Sequence, residues 1–476
     1  MKKTQWIIVI LAVVMLIAAA LVFYRLNLDG LSIRRKADES ASSTDYSGTQ
    51  SCRECHEKFY KLWAPSHHGL AMQPFTAQLV QTRLTTQDKD LVIGGSGYRV
   101  ELNGERGWVR ESGPKEKKKY PIVHAMGGKN VYYFLTPMDR GRLQVLPLAY
   151  DVQRKSWFDT ALSGIRHFQD IEEEPIGWKD PEYTFNTSCY GCHVSQFTRN
   201  YDPKTDTYNS VWREPGINCE TCHGSAVEHV RVCRRAAADK PPEDLKIAVI
   251  RPPKYSRKIS GDACAICHAK ASPLTVSYQP GDDFFDHFDV GILDSPDYYP
   301  DGRDLGENYT YTQWLMSPCA KSRQMDCLHC HTSSGRFRFT DDTKNNACMP
   351  CHAERVKNAS AHSHHPEGSA GSQCISCHMP KTEFARMRRS DHSMLPPTPA
   401  TTIAYKSPTP AMSAIRKRTP PGPTDGCVNG GRGTTRRRFF IGLPLLMRHA
   451  GVTGKSFRPC SNTWGAITTT RFSPLH

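Results

Sequence analysis

Fourteen of the 18 cysteines fall in seven copies of one pentapeptide, C-x-x-C-H. The copies are Cys52, Cys55 and His56; Cys189, Cys192 and His193; Cys219, Cys222 and His223; Cys264, Cys267 and His268; Cys327, Cys330 and His331; Cys348, Cys351 and His352; and Cys374, Cys377 and His378. Chance would give on the order of 0.03 copies at these Cys and His frequencies. The spacing has a mechanical reason. On a helical turn, residues three apart share one face, so two thiols can add to the two vinyl groups of one haem while the next residue aims its imidazole at the iron. Zinc ribbons take C-x-x-C pairs two by two, and seven is odd. Redox C-x-x-C comes once per domain, and structural disulfides repeat no fixed pentapeptide. The expected cofactor is therefore covalently attached haem c, seven in number.

Each iron takes or lacks a sixth ligand. Outside the motifs stand 13 further histidines. Setting aside His449 and His476 in the tail, and His329 inside its own motif, leaves ten candidates: His67, His68, His124, His167, His229, His287, His362, His364, His365 and His392. His68, His229, His365 and His392 rank first because they lie near motifs, with His124 and His167 next. Met72, Met316 and Met325 are alternatives, although Met is more often core packing. Mostly bis-His ligation implies low potentials and reductive electron traffic.

Around these residues the chain has little ordinary core material. It is 38% hydrophobic, and one uncharged run of 19 residues, Trp6–Tyr24, holds much of that. The run is roughly 28 Å as a helix, about a bilayer core, and reads as a transmembrane anchor in preference to a cleaved signal sequence over 1–24. Residues 25–50 read as a polar linker. Haem c is attached on the outer face of the cytoplasmic membrane, so the haem-bearing part is expected in the periplasm of a bacterial cell, anchored to that membrane.

Residues 51–188 hold one motif and then a long gap. Within it Tyr98–Leu102, Gly107–Glu111, Val131–Leu135 and Arg142–Leu146 alternate β-branched and aromatic residues between Gly, Asn and Pro, which predicts a small antiparallel β-region. The basic run 115–119 reads as a solvated turn. From 189 to 406 six motifs follow, at about one per 32 residues between 189 and 378, too little chain for a conventional core. Short helices and irregular loops around stacked porphyrins are expected there. Cys233 and Cys319, outside any motif, read as buried free thiols.

The net charge of +15 is no nucleic-acid signal. From Ser407 onward there are 11 Lys and Arg against one acidic residue, whereas the rest carries 51 basic against 46 acidic. The tail, 407–476, reads as aberrant or disordered. Codons for Thr409–Arg416 read one base earlier can spell Asn-Ala-Cys-Asn-Val-Cys-His-Lys, an eighth motif, so a frameshift near codon 408 is the expectation.

The segments CRECHEKFYKLWAPSHHGLAM, GRLQVLPLAYD, NCETCHG, HHPEGSAGSQCISCHMPKT and RRSDHSMLPPTP together resemble periplasmic multihaem cytochromes c with doubled CxxCH motifs. That family often carries C-terminal tetratricopeptide repeats and is distant kin of pentahaem nitrite reductase and octahaem hydroxylamine oxidoreductase. The resemblance spans roughly 48–406. It implies distal-ligand segments at Ser66–His68, His229, His362–His365 and Asp391–His392. The Lys-ligated CxxCK of nitrite reductases is absent. The fold class expected is a haem-cored multihaem cytochrome c, mainly α-helical and irregular, with a β-rich insertion and an N-terminal transmembrane helix. The function expected is electron transfer in a periplasmic respiratory chain, with quinol-oxidising or other redox proteins as partners. The alternative is an oxidoreductase acting on a small nitrogen or sulfur compound at one five-coordinate haem.

Overall fold

A computed structural model describes residues 46–408 apart from 115, 165–174, 237–239, 276, 292–296 and 307–308. The run at 6–24, the linker to residue 45, His167 and the tail from 409 lie outside the described residues. Among the described residues no helix is long and apolar enough to cross a membrane.

The first motif sits in a 15-residue helix, Thr49–Trp63, which bends at His56 (φ −113°, ψ 37°). Its opening turn has no cap from its own side chains. Two carboxylates from far along the chain serve instead. Glu214 accepts the Thr49 N–H at 3.0 Å and the Thr49 hydroxyl at 2.6 Å, and Glu220 accepts the N–H groups of Ser47 and Gly48. Negative charge at a helix N-terminus also opposes the positive end of the helix dipole.

Ten strands follow. A four-stranded meander runs β2 (Leu91–Ile93), β3 (Ser96–Asn103), β4 (Arg106–Ser112) and β5 (Lys117–Pro121). Beside it β1 (Met72–Pro74), β6 (His124–Gly127), β7 (Val131–Pro137), β9 (Leu148–Asp151) and β10 (Ser156–Asp159) are neighbours in that order, and β8 (Leu143–Val145) also pairs with β7. The β2–β3 turn is Gly94-Gly95, both at positive φ, the residues a two-residue hairpin asks for. Alternation sets the faces: Tyr98, Val100 and Val109 point inward onto Phe134, Leu146, Leu148, Tyr150 and Trp157. Each such side chain contributes about 1.5–3 kcal/mol on burial. Lys117, Lys118 and Lys119 of the basic run lie on β5, an edge strand, where a turn was expected. Lys118 pairs with Glu116 and Lys119 with Glu101, charges that suit a solvated sheet edge.

Beyond residue 188 the structure is a mixture of short helices and small sheets, with more strand than the expected helical and irregular chain. Two-stranded pairs occur at Val194–Ser195 with Glu214–Pro215, Ala271–Pro273 with Phe288–Val290, and Lys381–Phe384 with Met387–Ser390. Strands of two to four residues are too short to leave a period in the sequence. The apolar clusters are small here, as around Ala265, Ala269, Phe284 and Tyr311. Polar anchors take over: Asp262, fully buried, accepts from Lys258 at 2.6 Å and from the Tyr311 hydroxyl.

Candidate haem sites

Every motif lies on a helical turn. The turns are Thr49–Trp63, Tyr190–His193, Cys219–His223, the last turn of Arg257–His268, Cys327–Cys330, Met349–Lys357 and Cys374–His378. Local residues fix several of them. Asn218 caps the third by accepting the Thr221 N–H at 2.9 Å, and Gly224 ends it at φ 70°. Ser256 caps the helix that carries the fourth. The two cysteines of each motif thus share a face, with the histidine at the edge of the turn. None of the described cysteines forms a disulfide.

Four motif histidines face a second imidazole. Ring centroids are 6.4 Å apart for His56 and His229, 6.3 Å for His268 and His68, 6.3 Å for His331 and His392, and 6.4 Å for His378 and His362. Direct ring stacking would bring such centroids closer. An iron between two trans imidazoles, each bound through Nε2 at about 2 Å, sets the centroids about 6 Å apart. The ring planes are near parallel in the first and last pairs, at 12° and 11°, and turned by 52° and 32° in the other two.

Hydrogen bonds orient these rings. The Nδ1 atoms of His68, His229 and His392 lie 3.0, 2.8 and 2.8 Å from the carbonyl oxygens of Ser333, Leu245 and Ser390. The motif histidines His193 and His223 make the same contact with Ala71 and Ala248, at 2.6 and 2.9 Å. Donation from Nδ1 to a carbonyl fixes the tautomer and leaves Nε2 bare, the form a metal requires. Burial also favours the neutral ring. It lowers the pKa of His68, His331, His362 and His378, and pushes His268 and His392 down to about 4.

The thiols meet across motifs. Cys52 lies beside Cys219, Cys264 beside Cys327, Cys267 beside Cys192, and Cys348 beside Cys374. Cysteines that would each take a vinyl group are therefore adjacent in pairs. The motif cysteines, exposed at Cys55, Cys192 and Cys351 and half-buried elsewhere, fit with the facing imidazoles a flat macrocycle held at its edge and on both faces.

Other candidates go elsewhere. His365 packs against Gly371, while His362, on the last turn of Ala359–Ser363, takes the place opposite His378; the left-handed His364 between them reverses the chain. His124 lies on β6 with its ring edge-on to Trp212, centroids 5.5 Å apart. His287 engages both nitrogens, with Thr275 and Asp282, and His329 spends Nε2 on the Ala347 carbonyl. Met72 is core, buried beside Met126 and Leu135. His67 is exposed beside His68. Cys233 and Cys319 are free and half-buried rather than fully buried. Sequence reasoning missed the part played by Glu214 and Glu220, since nothing local to either residue marks a cap for a helix more than 160 residues away.

Residues 156–224, which carry the second and third motifs, match the family described as cytochrome c554 and c-prime. A search of curated proteins gives no match. Among solved structures the fold is similar to outer cell wall cytochrome OcwA, with a TM-score of 0.52 at 16% identity over 79% of this chain and 85% of that one. The chain has the fold of a multihaem cytochrome c. An undecahaem cytochrome from the S-layer of Carboxydothermus ferrireducens also aligns with this chain, at a TM-score of 0.35 and 15% identity, over 73% of this chain and 52% of its own.

Proposed function

We propose that this cytochrome carries seven covalent haems c and passes electrons along them outside the cytoplasmic membrane, in a periplasmic respiratory chain. The cysteine pairs of the seven motifs would hold the macrocycles by thioether bonds, with His56, His193, His223, His268, His331, His352 and His378 as proximal ligands. The carrying observation is the set of four imidazole pairs at 6.3–6.4 Å. It supports His229, His68, His392 and His362 as the distal ligands of the first, fourth, fifth and seventh motifs. Bound there, haem supplies one-electron chemistry at low potential. The protein's own part is to hold both imidazoles neutral and oriented, and to bring one motif close to the next.

The membrane anchor at 6–24 and redox partners that oxidise quinol belong to this proposal. The fold likeness to an outer cell wall cytochrome agrees with a haem domain outside the cytoplasm. The test is intact mass together with electron paramagnetic resonance of the oxidised protein. Seven haems by mass with only low-spin signals are expected. Fewer haems would overturn the count, and a high-spin signal would favour the alternative, an oxidoreductase acting on a small nitrogen or sulfur compound at one open iron.

A further inference from the structure

We propose that the cavity beside the third motif binds a phosphate-type oxyanion, and that an anion held there lowers the potential at that motif. The effect on potential rests on the haem-carrying function proposed above; the binding itself does not.

Charge concentrates on this part of the chain. Residues 228–258 carry nine Lys and Arg against four Asp and Glu, a surplus equal to that of the whole chain before Ser407. A concave surface within such a stretch raises the local concentration of anions. A cavity of about 320 Å³ lies there, between the end of the Cys219–His223 turn and the segments 244–255 and 279–280. That volume is at the small end of ligand cavities.

Its donors suit an oxyanion. Lys254 makes no ion pair among the described residues. Its Nζ has a long contact of 3.5 Å with the Ile247 carbonyl and lies 5.7 Å from the centre of the Tyr255 ring. Lys246 is the second ammonium, held at 2.7 Å by Asp244, a carboxylate on the same lining. The Ser225 hydroxyl accepts the Val227 N–H at 3.4 Å, which leaves its own O–H to donate. Gln279 adds an amide. Two ammoniums against one carboxylate leave the cavity with a positive balance. Tyr255 walls one side, and Gly281, at φ 110°, leaves room for it: a Cβ there would lie 2.8 Å from the ring. The cations of the lining are lysines. A planar carboxylate is matched by the arginine fork, whereas point charges and a hydroxyl take up the spread oxygens of a tetrahedral anion.

The third motif shares this cavity through the His223 ring, which lines it. His223 Nδ1 lies 2.9 Å from the carbonyl oxygen of Ala248, itself on the lining. The ring thus turns its Nδ1 edge toward the cavity and leaves Nε2, the atom that takes iron, on its other edge. An anion in the cavity therefore sits behind the proximal imidazole and does not compete for the iron. A ferric haem carries one more positive charge than a ferrous one, so a nearby anion favours the ferric form. Occupancy lowers the potential at the third motif and biases electrons toward the others.

The test is calorimetric titration of the full-length holoprotein with inorganic phosphate, in sodium chloride at constant ionic strength. The parent should bind phosphate, and Lys254→Gln should weaken binding at least about tenfold, the worth of one charged hydrogen bond. Lys246→Gln, which leaves Asp244 uncompensated, should also weaken it and serves if the first variant does not fold. Lys117→Gln, on the β5 edge, should leave it unchanged. No phosphate binding, acetate bound as tightly as phosphate, or equal affinity in the Lys254 and Lys117 variants would overturn the site. Redox titration followed by visible absorbance reads the coupling: saturating phosphate should lower the midpoint of one haem in the parent and of none in Lys254→Gln. Phosphate that binds and shifts no haem would overturn the coupling. A parent protein with other than seven haems by mass would instead overturn the haem-carrying reading, and the calorimetric result for the site would stand.

Discussion

Glu220, inside the third motif, accepts the N–H of Gly48 at 2.8 Å, at the mouth of the helix that bears the first motif and 172 residues away in sequence. The same carboxylate accepts from Ser47 at 2.9 Å and from Ala226 at 2.7 Å. One buried side chain thus fixes the start of one motif helix and the exit of another. It also explains how Cys52 and Cys219 come into contact.

Replacing Glu220 by Gln keeps the shape but removes the charge and turns one acceptor into a donor that faces N–H groups. Hydrogen bonds to a buried charge are worth about 1.5–3 kcal/mol, and an orphaned N–H adds a penalty of similar size. Glu220→Gln should therefore cost about 2–3 kcal/mol, read as a lower melting temperature by circular dichroism, with haem content unchanged. A melting temperature equal to the parent's would show that the clamp contributes nothing.

The choice between His362 and His365 can be read from spin state. His362 faces His378 with ring planes 11° apart, and His365 packs on Gly371. His362→Ala should convert one haem to high spin, while the other six keep their low-spin signals. His365→Ala should leave all seven low-spin. The reverse pattern would move the ligand to the far side of the left-handed turn at His364.

How far these relations were legible depends on their range. The motifs and their helical turns are local, and so is the alternation that places Val109 or Phe134 in a β core. His68, His229 and His392 stand out because they lie near motifs, yet their partners do not follow from that nearness. His68 follows the first motif but faces the fourth, and His392 follows the seventh but faces the fifth. Such pairing is set by tertiary packing, which no spacing encodes. The hairpin Lys381–Phe384 with Met387–Ser390 was missed for a different reason. Its turn is Ala385-Arg386, both at positive φ, where sequence would lead one to expect Gly or Asn.

Tyr311 and Asp262 tie two helices together behind the fourth motif. The Tyr311 hydroxyl donates to a carboxylate that is fully buried and that also pairs with Lys258. Burial, then the hydrogen bond to Asp262, raise the pKa of the tyrosine, so it stays a donor across the working range. Tyr311→Phe should cost about 2 kcal/mol, the value of one hydrogen bond to a charged acceptor. Thermal melts would measure it, and a cost near zero would mean that Lys258 alone satisfies the carboxylate.

Asp304 gives the pH dependence a definite sign. It is 1% exposed, neither of its carboxylate oxygens has a hydrogen-bond partner among the described residues, and burial, followed by the charge of Asp391, pushes its pKa up to about 8. Arg389 opposes the shift, and Arg303 is engaged instead with Asp301 and Asp391. In the unfolded chain the same carboxyl ionises near its ordinary value of 3.8. Between those two values the folded protein binds the proton and the unfolded chain does not, so the contribution of Asp304 to stability falls as pH rises from about 4 to about 8. Asp304→Asn, which cannot ionise, escapes this loss. Its melting temperature should match the parent's near pH 4 and exceed it by an amount that grows up to pH 8. A difference that stays constant across that range would mean that Asp304 does not titrate there.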